Sequence, residues 1–208
     1  MQNENQRRIL LLLKLLHGQT DEKNYVSVSD ILDFWEKNGI RAGRKSAYND
    51  IALLLEMGLD IICIKSTQNR YFIGARLFEL PELKLLVDAV ESSHFITEKK
   101  SEALIEKLSR LASRTQAQQL NRHIYMYGMA KSANETIYYT IDAIQTAIQE
   151  KRPISFQYFE YTQKKQKILK HNGYRYVFSP YALIWNRDYY YVVGWSEKHG
   201  KLTQFRMD

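Results

Sequence analysis

Cysteine is almost missing from this 208-residue chain: Cys63 is the only one. A lone thiol excludes an intramolecular disulfide and a cysteine-clustered zinc site, and it points to a reducing, cytoplasmic setting. Proline is scarce too, at three residues, and with nine glycines there is little room for a flexible linker. No apolar run approaches the roughly 18–20 residues that span a bilayer, and the longest, Ile9 to Leu13, stops at Lys14. That leucine-rich stretch lacks a small-residue cleavage site, so it does not read as a signal peptide. Also missing are a Gly-rich phosphate loop, a His-x-Glu or His-Glu-x-x-His pattern and a nucleophile with a recognisable partner. The expectation is therefore not an enzyme. His94 and His123 are isolated and give no metal-ligand spacing, so neither metal nor cofactor is expected.

What is present is ordinary globular composition, 45% apolar and 25% charged, in a length that favours two compact units over one. The net charge of +7 is unevenly spread. Residues 151–208 hold 11 Lys/Arg against 4 Asp/Glu, while residues 1–75 and 76–150 are nearly balanced. The same C-terminal stretch holds eight of the fifteen tyrosines and two of the three tryptophans. A basic, aromatic-rich end suits a polyanionic partner.

Spacing predicts three helices and a hairpin over residues 1–76. Arg7 to Leu16 is helix-forming sequence stopped by Gly18. Val28, Ile31, Leu32 and Trp35 lie on one face of a second helix, with Ser27 or Ser29 as cap and Asn38-Gly39 as end. Ala47, Ile51, Leu54 and Leu55 repeat that spacing before Gly58. Two short strands follow, Asp60 to Ile64 and Tyr71 to Ile73, joined by the polar stretch Lys65 to Arg70. The order is that of a winged helix-turn-helix. On the third helix Lys45, Asn49 and, marginally, Ser46 face away from the apolar side, in the turns that enter a major groove. Lysine reaches a guanine edge or phosphate, asparagine pairs with adenine and serine bonds phosphate. Arg44 would meet the backbone, and Lys65 and Arg70 would bracket a neighbouring phosphate or minor groove. The plainer reading makes each a solvated polar residue.

Arg44-Lys-Ser-Ala-Tyr-Asn-Asp-Ile51, then Leu54 and Met57-Gly58, resembles the Arg-Arg-Thr-Ile-x-Arg-Asp-Ile-x-x-Leu pattern of bacterial WYL-domain transcription regulators. The departures are Lys45 for arginine, Ala47 for a larger apolar residue and Asn49 where a basic residue is common. Losing that charge removes a phosphate contact, so DNA affinity per subunit is expected to be modest. The DNA-facing set is then Arg44, Lys45, Ser46, Tyr48, Asn49, Lys65 and Arg70.

Residues 77–132 read as a helical connector. Leu83, Leu86, Val87 and Val90 form one stripe after Leu80-Pro81, and Leu104, Ile105, Leu108, Leu111 and Ala112 form another after Thr97 or Ser101. Residues 114–132 look less regular, with a possible short strand at His123 to Tyr127. The resemblance implies pairing through this region, hence a homodimer.

Residues 133–208 predict a helix capped by Asn134, with Ile137, Ile141, Ile144 and Ile148 as its stripe, then about five antiparallel strands. That α+β arrangement fits a small SH3-like or Sm-like β-barrel. Ser179-Pro-Tyr-Ala-Leu-Ile-Trp185 with Tyr189-Tyr-Tyr-Val-Val-Gly194 resembles the Ser-Pro-Tyr-x-Leu and Trp-Tyr-Leu-x-Gly stretches of the WYL domain. Its naming tripeptide falls on Tyr190-Tyr191-Val192. Lys201 to Asp208 resembles the strand with Phe-Arg-x-Asp-Arg, a pattern that continues beyond Asp208, so the domain is expected to be incomplete. The resemblance implies a sensor of nucleotides or single-stranded nucleic acid, with Ser179, Tyr181, Tyr191, His199 and Arg206 at the pocket. Arginine pairs with phosphate, hydroxyls bond its oxygens and tyrosine rings stack on bases. Lys164, Lys165, Lys167 and Lys170 would form an electrostatic funnel, or else protect an edge strand.

The function expected is a DNA-binding transcription regulator with an effector-sensing WYL domain, double-stranded DNA as partner and no membrane association. The alternative is an RNA- or single-strand-binding or protein-interaction module without sequence-specific DNA readout.

Overall fold

The computed structural model describes residues 2–120, 131, 132, 134–163 and 166–207. The chain divides into two compact units: the described residues of Met1–Glu91 with Glu102–Tyr125, and those of Ser92–Ser101 with Met126–Asp208. The described residues form a mixed α and β structure of seven α-helices and antiparallel sheets.

The first unit opens with α1 (Gln2–Gln19), longer than the leucine stripe predicts, then β1 (Val26–Ser27) and α2 (Val28–Lys37). A capping box starts α2: the Asp30 N–H donates to Ser27 Oγ, and the Asp30 carboxylate accepts the Ser27 N–H at 2.7 Å. α3 (Arg44–Glu56) leads into β2 (Ile61–Ile64) and β3 (Arg70–Ile73). The three strands pair antiparallel in the order β1-β3-β2, so the predicted hairpin gains a short third strand. The sequence gives no sign of β1, since two residues carry no alternation. Leu12, Leu16, Ile31, Trp35, Ile51 and Ile73 are among the residues buried where helices and sheet meet.

Next come α4 (Leu80–Ser92), α5 (Glu98–Ser109) and α6 (Arg114–Leu120). Leu83, Val87, Ala112 and Leu120 are buried together, with Ile105 and Leu108 packed against them. Residues 114–120 are helical where the sequence looked irregular. The cue was a reciprocal cap: Gln116 N–H donates to Ser113 Oγ at 3.1 Å, and Gln116 Oε1 accepts the Ser113 N–H at 3.2 Å. The suggested strand at His123 to Tyr127 lies outside the described residues, as does His123 itself.

The second unit holds α7 (Ile137–Gln149), β4 (Ile154–Gln157), β5 (Phe159–Tyr161), β6 (Lys167–Leu169), β7 (Arg175–Asn186), β8 (Tyr189–Ser196) and β9 (Lys201–Arg206). α7 begins three residues after Asn134. Thr136 stands at its cap, and Asn134 Oδ1 instead accepts the Thr136 N–H at 3.0 Å and its hydroxyl at 2.9 Å. The β7–β8 hairpin turns on Arg187 and Asp188, both left-handed at φ 48° and 62°, the two-residue turn whose twist matches the strands.

The expected closed barrel is not found among the described residues. The strands form an open sheet, β4-β7-β8-β9, and a separate ribbon, β5-β6. Alternating sequence marks a strand with one buried face and says nothing of closure. The chain leaves the sheet at Tyr158, and β5 spends its hydrogen bonds on β6. The sheet still curls: Phe205 on edge strand β9 meets Phe156 on edge strand β4 at 5.0 Å between ring centres. Tyr176, Phe178, Val192 and Phe205 form its buried face with Ile144 of α7. Phe95 packs edge-on against Trp185 and Tyr190 at the hairpin tip, 4.9 and 5.4 Å between centres.

Candidate nucleic-acid interface and sensor face

In the first unit the periodicity of α3 sorts its residues cleanly. Ala47, Asp50, Ile51 and Leu54 are buried. Arg44, Lys45, Tyr48 and Asn49 are exposed, and Ser46 is half-buried. Arg44 and Tyr48, like Lys45 and Asn49, stand four residues apart and so lie one above the other on the open side.

Asp50 is the unexpected member of the buried row. Its carboxylate accepts two hydrogen bonds from Arg8 of α1, Nε to Oδ2 at 2.7 Å and Nη2 to Oδ1 at 2.9 Å. The Asp50 side chain is only 5% exposed and that of Arg8 16%. The bond to Asp50 raises the Arg8 pKa against the opposing effect of burial. The Arg8 guanidinium also lies 5.6 Å from the centre of the Trp35 ring. This fork fixes the rotation of α3 against α1 and hence the direction of its exposed side. The pair was hidden in the sequence because 42 residues separate its members.

On the β2–β3 hairpin, Lys65 is exposed in the turn and Arg70 opens β3. The Arg70 guanidinium sits 4.3 Å from the centre of the Tyr25 ring, a support the sequence did not disclose. Buried Tyr71 pairs across to Cys63, and burial is the largest influence raising the phenol's pKa.

In the second unit, register decides which predicted residues meet. Tyr191 pairs with Ile184 on β7 and Arg206 on β9, and Ser179 pairs with Trp195. Side chains of paired residues share a face, so Ser179, Tyr191 and Arg206 all lie opposite the buried Val192 and Phe205. Arg206 and Tyr191 are neighbours there, and the Arg206 guanidinium lies 4.6 Å from the Tyr189 ring centre. Ser179 is four rows along and two strands over from Arg206, roughly 16 Å away from strand geometry, so the two do not grip one phosphate.

The other predicted residues fall elsewhere. Tyr181 is 58% exposed at the bulge between Pro180 and Ala182. His199 lies in the β8–β9 turn beside Tyr176 of the buried face, 6.1 Å between ring centres. Lys167 belongs to the β5–β6 ribbon, with its ammonium 4.3 Å above Phe159. Lys170 pairs with Glu160 at 3.0 Å, and that carboxylate raises its pKa. Lys164 and Lys165 lie outside the described residues. The sequence analysis missed Ile184, Trp195 and Leu202, exposed apolar residues of the same sheet face. Trp195 stands at period-two spacing from Tyr191, which was the available signal, whereas Ile184 and Leu202 join the face only through strand register.

Among the described residues no three His, Cys, Asp or Glu side chains cluster as a metal site. No helix among them is long and apolar enough to cross a membrane.

No curated protein sequence matches the chain. Among solved structures it is similar to proteasome accessory factor B/C (PafBC) of Arthrobacter aurescens, at 15% identity and a TM-score of 0.30. That similarity takes in 99% of this chain and 32% of the other, so the chain spans about a third of that structure's length. Residues 139–208 match the WYL domain family. Most of α7 and the strands that follow it, with their aromatic face, are therefore a WYL domain.

Proposed function

We propose that the chain is a transcription regulator whose first unit is a winged helix-turn-helix that reads duplex DNA and whose WYL domain senses a nucleotide or single-stranded nucleic acid. The observation that carries the reading is α3, a helix held by a buried ion pair with Arg44, Lys45, Tyr48 and Asn49 along its open side. In this reading Lys45 and Asn49 contact base edges, while Arg44 and Ser46 meet the backbone. Arg70, held against Tyr25, and Lys65 serve as the wing's phosphate contacts. On the sheet, Arg206 and Tyr191 bind the effector, with guanidinium on phosphate and ring on base. The regulator works as a cytoplasmic homodimer, which compensates for the missing basic residue at Asn49, and it has no catalytic role.

The test is fluorescence anisotropy with duplex from the protein's own upstream region, scrambled duplex and single strands, across a salt series. Preference for the native duplex, lost when Lys45→Ala and Asn49→Ala are combined, is the expected outcome. Each phosphate contact removed should lower the salt slope by about one. Equal binding to all strands, untouched by that double change, would replace this reading with the second. There the exposed Ile184, Trp195 and Leu202 make the sheet face a single-strand or protein-binding surface, and the first unit has no sequence preference.

A further inference from the structure

Strand β2 is one edge of the first unit's sheet, and no other strand among the described residues pairs with its outer side. Edge strands of soluble proteins are commonly guarded by a charge, a proline or a bulge. Ile61-Ile-Cys-Ile64 has none of these: it is uncharged, lacks proline and keeps an unbroken register with β3. Ile61 belongs to the core, so alternation turns Ile62 and Ile64 to the opposite face, where they are 39% and 43% exposed. The ladder also fixes which peptide groups turn outward. The Asp60 carbonyl accepts the Gly74 N–H at 2.9 Å, and antiparallel pairs alternate between bonded and non-bonded. Ile62 and Ile64 therefore bond to β3, while the peptide groups of Ile61 and Cys63 point to the open edge. Two further bonds agree with that phase. The Ile61 N–H turns to the Leu59 carbonyl at 3.0 Å, and the Ile73 N–H turns away from β2 to Thr20 Oγ1 at 3.1 Å. Cys63, at the middle of the edge, thus directs both a donor and an acceptor outward.

The strand that matches this edge is the same strand of a second copy. With a two-fold axis through Cys63, each Cys63 N–H donates to the other copy's Cys63 carbonyl, and Ile62 of each copy stands opposite Ile64 of the other. Paired residues share a face, so the exposed isoleucines of both copies cover one another. Charge favours the same arrangement. Asp60 precedes the strand and Lys65 follows it, so antiparallel copies bring opposite charges to each end, whereas parallel copies would bring like charges together. We infer that two copies of this chain associate through β2, joining their three-stranded sheets into one sheet of six strands. The inference gives an interface to the homodimer proposed above and rests on that part of the reading alone, not on duplex recognition.

The experiment is sedimentation velocity of the full chain over a concentration series, together with cross-linking by a short bismaleimide that couples two thiols. Cys63 is the only cysteine and is exposed, so any covalent product reports on this strand. The two-fold places the Cys63 Cα atoms about 5.5 Å apart, and a cross-linked dimer is the expected product. Cys63→Pro removes the outward N–H without touching the bonds to β3, and should weaken association at least tenfold. Ile64→Lys should do the same by charging the edge, and repeats the test should the proline variant not fold. Far-UV circular dichroism checks the folding of both. A dimer that Cys63 does not cross-link, or one of wild-type strength in a folded variant, would overturn the interface and leave the homodimer standing. Sedimenting species larger than a dimer would overturn the two-fold register. A chain that stays monomeric throughout would overturn interface and homodimer together, while the duplex anisotropy above reports on DNA reading separately.

Discussion

α3 and β8 each present polar and aromatic residues to solvent, and what lies beneath them differs. Under α3 the buried row includes a carboxylate, Asp50, forked to Arg8. Under β8 the row is apolar: Val192 packs among Phe178, Tyr176 and Phe205. A charge beneath a helix fixes its rotation, because only one orientation keeps both hydrogen bonds. An apolar layer beneath a sheet tolerates small shifts of register and curvature, since dispersion contacts are many and individually weak. The first unit thus holds an exposed helix face oriented by an ion pair, while the second holds a face whose geometry depends on packing. If that contrast is right, the two units fail for different reasons.

The largest effect is expected at the fork. Asp50→Ala leaves the half-buried Arg8 guanidinium with Asn5 as its remaining side-chain acceptor, so the loss should approach the lower end of the buried-pair range, about 3 kcal/mol. Trp35, fully buried beside Arg8, reports the loss by fluorescence in a urea titration. Replacing both partners by apolar residues, Arg8→Met with Asp50→Leu, should recover most of that stability. The proposed duplex preference should not return with it if the fork sets the rotation of α3. Full recovery of both would remove electrostatic locking from the comparison.

In the sheet the corresponding break is steric. A methyl added at Gly194 would collide with the Ser179 carbonyl oxygen and lie within 2.9 Å of the Phe178 ring. Gly194→Ala should therefore destabilise the second unit by about 1–3 kcal/mol, the scale of an overpacked core. With 5-fluorotryptophan, the fluorine resonances of Trp185 and Trp195 should shift while that of Trp35 stays. Movement of all three would show that the units do not fail separately.

Much of this architecture could be read from spacing alone. The apolar rows of α2, α3 and α7 and the strands of the β7–β8 hairpin are local, and periods of 3.6 and 2 record them. What escaped was mostly non-local or very short. Arg8 and Asp50 meet only after folding, β1 is too brief to alternate, and Tyr25 lies far in sequence from Arg70. Closure was misjudged for another reason: open and closed sheets demand the same alternation, so Phe156, Tyr176 and Phe205 would be buried in either. The α6 helix was a plain oversight, since Ser113-Arg-Thr-Gln116 carries the capping signal. For the candidate sites, residue types were legible but not their grouping. Ser179, Tyr191 and Arg206 share a face, whereas His199 and Lys167 do not join them.

Acidity should separate the units again, by a smaller amount. In the first, burial pushes the Asp21 carboxyl up, but hydrogen bonds from Ser113, Asn24 and two backbone N–H groups outweigh it and hold the pKa below its usual value. His17 is lowered by partial desolvation and by Arg76, though its exposed ring makes its share the lesser. Both folded-state values are depressed. Their stabilisation is therefore full above the unfolded values, about 6.5 for histidine and 3.9 for aspartate, and is lost as pH falls through the folded ones. In the second unit the raised Lys170 acts at the other end. Its contribution is full below about 10.4 and lost as pH rises through the folded value. Urea titrations at a series of pH values, followed at Trp35, should show acid weakening of the first unit. Asp21→Asn should flatten that dependence; an unchanged slope would remove Asp21 as its source.

The smallest effect is expected at a pair that looks similar on paper. Glu106 and Arg110 in the first unit are also an arginine–carboxylate pair, at 2.6 Å, but their side chains are 69% and 72% exposed. Water already solvates both charges, and ordering two long side chains offsets the modest Coulomb gain. Glu106→Gln should cost no more than about 0.5 kcal/mol, and 0.5 M salt should erase the difference from wild type, since exposed charges are screened. The Asp50→Ala loss should persist in the same salt, because little solvent reaches Arg8. Should both changes prove equally salt-sensitive, the fork would be acting as a surface pair, and burial would not be what distinguishes α3 from the sheet.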